Sequence, residues 1–562
     1  MNYEYRIDIL TYIFTSFIIS TYVYTVFYEN KGLAIFFASC FFLALYFKLK
    51  IKLTLIILLF FIIPIINNIN YYDLNLKKEE EVRIVSVNNY GYIGKVQKRK
   101  IYLSGKLKGI EAGDKIKVEG EFIEEINREK GVLGNYTVEN YKKLDKDFIK
   151  SIYDIRKNIF NNLKSKLGYR RSAIITSIAF GYTDYLDIED KDNMKSLGVL
   201  HAISVSGLHM VLVYSLLKKL FGEKISPLIA IIYVIFTGGA LSTIRAYIMM
   251  VISSFSIILK KDYNPLAGLS LAGIILILYE PFSIFSLGFQ LSFVATLGII
   301  LFNKEINRKL YKMPKYLRES ISICISAQIL TFPILAISFK EFSLGFFLGN
   351  IILIPLINVV VIIGNLLSLV FKIDFIFNYL AYLSYYVTLA IDLITEKLLE
   401  ITPSILYINK ITYIGYILIL IGSYFYAKGY KKFIYFPLFI IIFLIPIIYS
   451  PYPTIEHFEE GFVVISYKFD KRVIKLKDQL KTDKIKNLAF TKDIIEDFEV
   501  INISHKYKLN KKGNNLLLED KEKQYLIKIS KDKISKDYDI INLRDTSYRK
   551  VVLYNNKAIA FY

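Results

Sequence analysis

The sequence predicts a polytopic α-helical membrane protein of about 13 spans, with an extracellular β module of about five strands and a small, mainly β C-terminal extracellular domain. Three observations predict it. Of the 562 residues 54% are hydrophobic, and the mean hydropathy is +0.40. Apolar runs near bilayer-crossing length recur along the chain. Two stretches, 71–146 and 451–562, instead alternate polar and apolar residues. Backbone in lipid must satisfy its own N–H and C=O groups, so continuous apolar runs there are helices, whereas strands of a membrane barrel would alternate.

The N-terminal region, 1–70, holds spans near 8–27, 31–47 and 50–67. The first lacks a basic leader and a small-residue cleavage site, and is expected to be retained. The connection FKLKIK is short and basic, which places it and the N-terminus inside and sends the third span outward. Within 71–146, EVRIVSV, YIGKVQ, KIYLSG, DKIKVEGEFIEE and NYTVENYK read as about five strands. NNYG, GIEAGD and EKGVLG are their turns. Residues 147–196 are charged around one apolar patch, SAIITSIAF, too short to span; amphipathic surface helices are expected. An almost continuously apolar domain follows over 197–450, with spans near 197–217, 225–241, 243–259, 265–280, 284–302, 319–338, 344–371, 376–397, 410–427 and 432–449. The basic loops KKLFGEK, KKDYN, NKEINRKLYKMPKYLRE, the turn at Lys372 and AKGYKK then all fall inside. That topology puts 451–562 outside, where strand-like runs alternate with charged turns and one helix is expected near DIIEDF.

The net charge of +22, from 72 Lys and Arg against 50 Asp and Glu, invites a nucleic-acid or anionic-lipid partner. Abundant Lys, Ile, Asn and Tyr with no Trp is also the composition of AT-rich coding, so the charge alone identifies no partner. Cys40 and Cys324 lie in separate apolar runs and read as small buried hydrophobes. There is no GxxxxGK[ST], HxHxDH or HExxH, and His457 and His505 stand apart, so no nucleotide site, metal or cofactor is expected. From 197 on, no Asp or Glu lies mid-span; Asp392 is near an outer end, which argues against a carboxylate-based proton pump.

Half of the four histidines sit in LGVLHAISVSGLHM, residues 197–210. On a helix, His201, Ser204, Leu208 and Leu212 share one stripe, and Ala202, Ser206, His209 and Val213 the next. Polar groups at lipid level must face protein or a water-filled cavity, so they are either contacts between helices or the lining of a hydrated path. Ser206 and Gly207 are small enough for close helix approach. A Ser206–His209 nucleophile and base is also conceivable, but no orienting carboxylate or oxyanion hole accompanies it. Later spans carry Gly238, Gly239, Ser242, Thr243 and Arg245; Gln290 and Ser292; Ser326, Gln328, Thr331 and Pro333; and Asn350, Pro355 and Asn358. The plain reading of Arg245 is snorkelling at an outer boundary.

Taken in series, LGVLHAISVSGLHM, TGGALSTIRAYIMM, EPFSIFSLGFQLSF, AQILTFPI and GNIILIPL resemble the ComEC-type competence proteins in residue type and order. The resemblance is strong over about 150–360 and weak over 71–146, where that family has an extracellular OB-type domain. It implies a non-catalytic channel in the bacterial cytoplasmic membrane that imports single-stranded DNA during natural transformation. The implied partners are a cytoplasmic ATP-driven DNA motor, a DNA receptor on the outer face, a separate nuclease and membrane lipids. His201, Ser204, Ser206, Gly207, His209, Arg245, Gln290, Ser292, Gln328, Pro333, Asn350 and Pro355 would line or shape the channel. In the OB-like module, Tyr90, Tyr92, Lys95, Lys98, Arg99, Tyr102 and Lys106 would track the backbone and stack bases; ordinary solvated strand faces are the alternative. Long family members end in a metallo-β-lactamase-like nuclease. Residues 451–562 lack its metal motif and are expected to be a reduced or unrelated β domain. The rival functions are a transporter or flippase of another solute, an intramembrane hydrolase using Ser206, and a structural assembly protein.

Overall fold

The computed structural model describes residues 8–562 except 75, 89–90, 204, 403–404, 459–460, 477–481, 492, 496–498, 504–505, 514, 520–523, 530–537, 544–549, 555–556 and 562. The first apolar runs form α1 (Ile9–Glu29), α2 (Lys31–Lys48) and α3 (Ile51–Tyr72). α1 is the buried one of the three: Ser16, Ser20, Thr21 and Thr25 line it, and Ser20 donates to the Phe61 carbonyl of α3 at 2.5 Å. Small hydroxyl side chains allow such close approach because a neighbouring carbonyl satisfies each one. α2 turns Ile35, Phe36 and Phe47 outward, as a helix bathed in lipid does. Cys40 is exposed on α2 and Cys324 is half-buried, so the expectation of two buried cysteines fails: outward apolar surface satisfies a thiol in lipid equally well.

Five strands follow: β1 (Glu79–Asn88), β2 (Gly91–Val96), β3 (Arg99–Gly105), β4 (Lys115–Asn127) and β5 (Val132–Lys143). They close into a barrel in the order β1-β2-β3-β5-β4, with β3 and β5 parallel and the other pairs antiparallel. Alternation puts Val82, Ile84, Ile101, Leu103, Ile116, Val118 and Tyr136 inside. Coiling brings β4 and β5 so close that a Cβ at Gly120 would sit 2.0 Å from the Thr137 carbonyl oxygen. Tyr24, Tyr71, Tyr72 and Phe282 extend the same core from the helices.

α4 (Phe148–Leu167), α5 (Tyr169–Phe180) and α6 (Ile188–Ser196) come next. The expectation of amphipathic surface helices over 147–196 needs correcting at α5. Every residue from Ser172 to Phe180 is buried, in a core shared with Val360, Ile363 and Leu367. A helix of 12 residues cannot span, but it can fill an interior.

α7 (Gly207–Phe236) breaks at Gly222, where φ is +72° and ψ 178°, so its halves correspond to two separate apolar runs. Met210 and Tyr214 from the first half share an apolar cluster with Ala230, Tyr233 and Val234 from the second. Then come α8 (Leu241–Ile258), α9 (Pro265–Tyr279), a 3-10 turn at Pro281–Phe285, α10 (Leu287–Lys309) and α11 (Lys315–Phe339). β6 (Glu341–Phe342) pairs with β7 (Leu406–Tyr407). Between them, α12 (Phe346–Leu348), a π turn at Gly349–Leu353 and α13 (Ile354–Leu369) make one apolar rod, followed by α14 (Asp374–Ile401). α15 (Lys410–Ala427) and a 3-10 stretch, Lys431–Phe439, lead into α16 (Ile440–Ile448). Among the described residues, nine helical segments are long and apolar enough to cross a membrane.

The chain divides into two compact units, residues 1–331 with 343–404, and 332–342 with 405–562. The second ends in two sheets, which run from β8 (Ser450–Phe458), β9 (Phe462–Lys468) and β10 (Asp470–Lys475) to β17 (Lys550–Tyr554) and β18 (Lys557–Phe561). Their facing side chains, among them Ile455, Val463, Leu509, Leu518 and Val551, form one core. The helix expected near DIIEDF is not there. Ile494–Ile495 pair with β10 as a short strand, and the helix is α17 (Thr482–Ala489), which packs Ile485 and Ala489 on Phe462 and Val464.

Candidate functional site

Residues 197–206 are not the start of a helix. Leu197, Val199, Ala202, Ile203 and Val205 are buried in a loop with one 3-10 turn at Leu200–Ala202. Gly198 and Gly349 make that loop possible. A Cβ at Gly198, where φ is +67°, would meet Phe346 at 2.5 Å, and one at Gly349 would lie 2.2 Å from the Leu197 carbonyl oxygen. The two helical stripes expected for this motif therefore do not form. His201 is exposed on the loop, and Ser204 lies outside the described residues.

α7 begins at Gly207 with Ser206 as its N-cap. His209 stands where a Glu or Gln normally closes a capping box, and its Nδ1 accepts the Ser206 backbone N–H at 2.9 Å. The Ser206 hydroxyl lies 2.9 Å from the same nitrogen. With Nδ1 accepting, the neutral ring carries its proton on Nε2. That Nε2 is buried and has no partner among the described residues, in a residue only 1% exposed.

Arg245, on the second turn of α8, does not snorkel: it is 9% exposed. Its Nε–H donates to the Ser292 hydroxyl on α10 at 2.8 Å, and Nη1 meets the Met249 sulfur at 3.4 Å. Nη2 lies 3.0 Å from the point where a Gly207 Cβ would be, so a side chain there would collide with the guanidinium. Phe293 flanks it, 5.9 Å from ring centre to guanidinium carbon. Among the described residues, no carboxylate pairs with Arg245. Ser242 ties the start of α8 to the loop by donating to the Val205 carbonyl at 3.2 Å, and the buried Thr243 hydroxyl beside it has no partner.

The fold thus gathers Ser206, Gly207, His209, Arg245 and Ser292 from three sequence motifs. The other expected lining residues spend their hydrogen bonds locally. Gln290 donates to the Ile284 carbonyl at 2.9 Å, Gln328 accepts from Thr331 at 3.0 Å, and Asn350 donates to the Phe346 carbonyl at 2.7 Å. α11 runs on through Pro333, and Pro355 sits in the first turn of α13. Asp392 is bound by Arg170, 3.1 Å, and Arg171, 3.4 Å.

The barrel candidates divide in the same way. Lys95 pairs with Glu280 at 3.0 Å, beside Lys100, whose ammonium lies over the Phe282 ring at 4.1 Å. Burial pushes the Lys100 ammonium below the ordinary lysine range against the pull of Glu280. Arg99 donates to the Asn70 carbonyl at 2.5 Å and Tyr92 to the Leu107 carbonyl at 3.2 Å. Lys98, Tyr102 and Lys106 remain exposed, and Tyr90 lies outside the described residues. Glu280 is the residue the sequence reading missed: a lone carboxylate before Pro281, at the end of an apolar span that faces a basic module.

These features define a polytopic helical membrane protein with a closed β-barrel module and a buried basic cluster where α7, α8 and α10 meet. Residues 178–431 match the family model described as Competence protein, and they form a domain of that family. ComE operon protein 3 of Bacillus subtilis is 26% identical over 232 residues, 39% of this chain and 29% of that protein. An uncharacterized protein of Mycoplasma genitalium, MG316, is 26% identical over 183 residues, 30% of this chain and 48% of that one. An uncharacterized protein of Aquifex aeolicus is 30% identical over 113 residues, 19% of this chain and 27% of that one. The chain therefore spans less than half the length of each of these relatives. No solved structure matches.

Proposed function

We propose that the chain is a DNA-uptake channel of the cytoplasmic membrane, which passes one DNA strand inward and performs no chemistry on it. The observation that carries this reading is the composition of the gathered cluster. Serine hydroxyls, a histidine N–H and an arginine come together at the start of α7 with no carboxylate among the described residues to hold a cation or relay a proton. Such a lining suits an anion. It supports a polyanionic cargo over proton- or sodium-coupled transport; a transporter or flippase of another anionic solute is the alternative. The barrel's strand order fits an OB-type module, and Lys98, Tyr102 and Lys106 are left to meet a strand. With about 13 spans and the basic loops inside, the barrel and the C-terminal sheets lie outside. An ATP-driven motor, a DNA receptor and a nuclease would be separate partners.

Deleting the gene in a transformable host and measuring uptake of labelled DNA tests the reading. Loss of uptake, restored by the full chain, is expected; undiminished transformation refutes it.

A further inference from the structure

We propose that the N-terminus of α7, Arg245 and His209 form a phosphate-binding site, and that its occupant is a phosphodiester of the passing strand. The site deepens the channel reading and rests on it for the identity of that occupant. Three observations converge here. The α7 helix runs unbroken for its first four turns from Gly207 to the break at Gly222, so the positive end of its dipole lies at Gly207, next to the Ser206 N–H that His209 Nδ1 accepts. A guanidinium lies against that positive end, with Nη2 3.0 Å from the Gly207 Cβ position. Two like-signed groups held together in an apolar interior repel unless an anion lies between or beside them. Neither has one among the described residues, where Arg245 gives its Nε–H to Ser292 and its Nη1 to the Met249 sulfur. The third observation is the buried, unpartnered Nε2 of His209, one helical turn into α7.

The guanidinium against the α7 N-terminus makes the fork-plus-helix arrangement that recognises phosphate oxygens, and His209 Nε2 adds a further donor on the first turn of α7. Carboxylate-free donors also explain the pinned loop. Gly198, Gly349 and the Ser242 bond to the Val205 carbonyl hold 197–203 and Val205 in place, next to the N-terminus of α7. A phospholipid headgroup offers the same chemistry. Arg245 and His209, however, are buried among α7, α8 and α10, while the lipid-facing surface of the chain carries outward Ile and Phe. A strand inside the bundle is the occupant this burial favours.

The test uses the full chain in nanodiscs, with inorganic phosphate and a short fluorescent oligothymidylate as separate probes. Phosphate should raise the thermal midpoint of the wild type but not of Arg245→Gln. Oligothymidylate affinity should fall roughly tenfold or more in Arg245→Gln, the worth of one charged hydrogen bond. The slope of log affinity against log salt should flatten by about 0.7, one phosphate contact on a single strand. Arg245→Lys, which keeps the charge, should keep the slope, and it guards against a glutamine variant that fails to fold. Equal phosphate protection and equal slopes in wild type and Arg245→Gln overturn the site while leaving DNA transport standing. Phosphate protection without oligothymidylate binding keeps the site and refutes the DNA reading. Arg245-dependent stabilisation by phosphatidylglycerol over phosphatidylcholine, with none by oligothymidylate, makes the occupant a lipid and overturns the proposal.

Discussion

Charge is handled in opposite ways by the Asp114–Lys150 network beside the barrel and by the bundle where α7, α8 and α10 meet. Beside the barrel Asp114 gathers Lys143 and Lys150 into one network, whereas Arg156 of α4 is buried with its Nε and Nη2 unpartnered among the described residues. Lys150 lies within 2.8 Å of Asp114 and 3.2 Å of Asp154, and Lys143 is 3.0 Å from Asp114. In the bundle Arg245 has a hydroxyl, a sulfur and a ring, and no carboxylate among the described residues. A closed network holds elements in register, and removing a member exposes the rest. A lone cation in an apolar interior carries a desolvation cost that no opposite charge offsets, which an anionic ligand would relieve. The two regions therefore predict opposite responses to substitution.

The largest effect belongs to the barrel. Asp114→Asn leaves Lys150 buried beside a neutral amide, and both side chains are about a tenth exposed. The expected cost is ~3 kcal/mol, read as faster hydrogen exchange of the barrel amides in the full chain. The same carboxyl sets a pH dependence. Burial raises its pKa, but hydrogen bonds from Lys150, the Glu111 N–H and Lys143 outweigh that and hold it below the ordinary 3.8. Stabilisation is then complete above that ordinary value and is lost as the pH falls through the depressed one. Barrel exchange that stays unchanged on acidification to about pH 2 would contradict this.

Glu280→Gln should cost less, about 1–2 kcal/mol, because Lys95 and Lys100 are each a quarter or more exposed. Proteolysis at the 128–131 turn, whose Gly131 packs on Phe282, should quicken while the remaining cleavage pattern stays the same. Arg245→Gln should behave the other way: transformation falls roughly tenfold, while membrane abundance holds or rises. A parallel fall in abundance and uptake would make Arg245 one more structural charge and erase the contrast between the two regions.

The sequence made the broad layout legible because hydropathy and strand alternation are local signals. The apolar runs of α1 to α3 and the alternating strands of the barrel can be read residue by residue. What stayed hidden was set by distant partners. Residues 197–206 have a helical pattern, yet Gly198 and Gly349 press that segment against the Phe346–Leu369 rod, and tertiary contact overrides the pattern. SAIITSIAF is too short to span and looked like a surface patch, because nothing in its own residues announces the Val360–Leu367 wall that buries it. The residue types at His209, Arg245 and Ser292 were visible. Their meeting was not, because an i, i+3 spacing says nothing about which helix stands opposite.

The smallest predicted effect bears on the hydrolase alternative. In a nucleophile–base pair, the imidazole must offer its lone pair to the serine hydroxyl and be oriented from its other nitrogen. Here the Nδ1 lone pair already accepts the Ser206 backbone N–H at 2.9 Å, so the hydroxyl competes for a site in use. Nε2 has no orienting acceptor. As a cap, Ser206 is worth ~1 kcal/mol to the first turn of α7, and Ser206→Ala should lower abundance slightly while Ser206→Asn retains it. A serine-reactive probe should label wild type and Ser206→Ala equally. Labelling that depends on Ser206 would make His209 a base after all, and the α7 N-terminus would then be an oxyanion site instead of a resting place for phosphate.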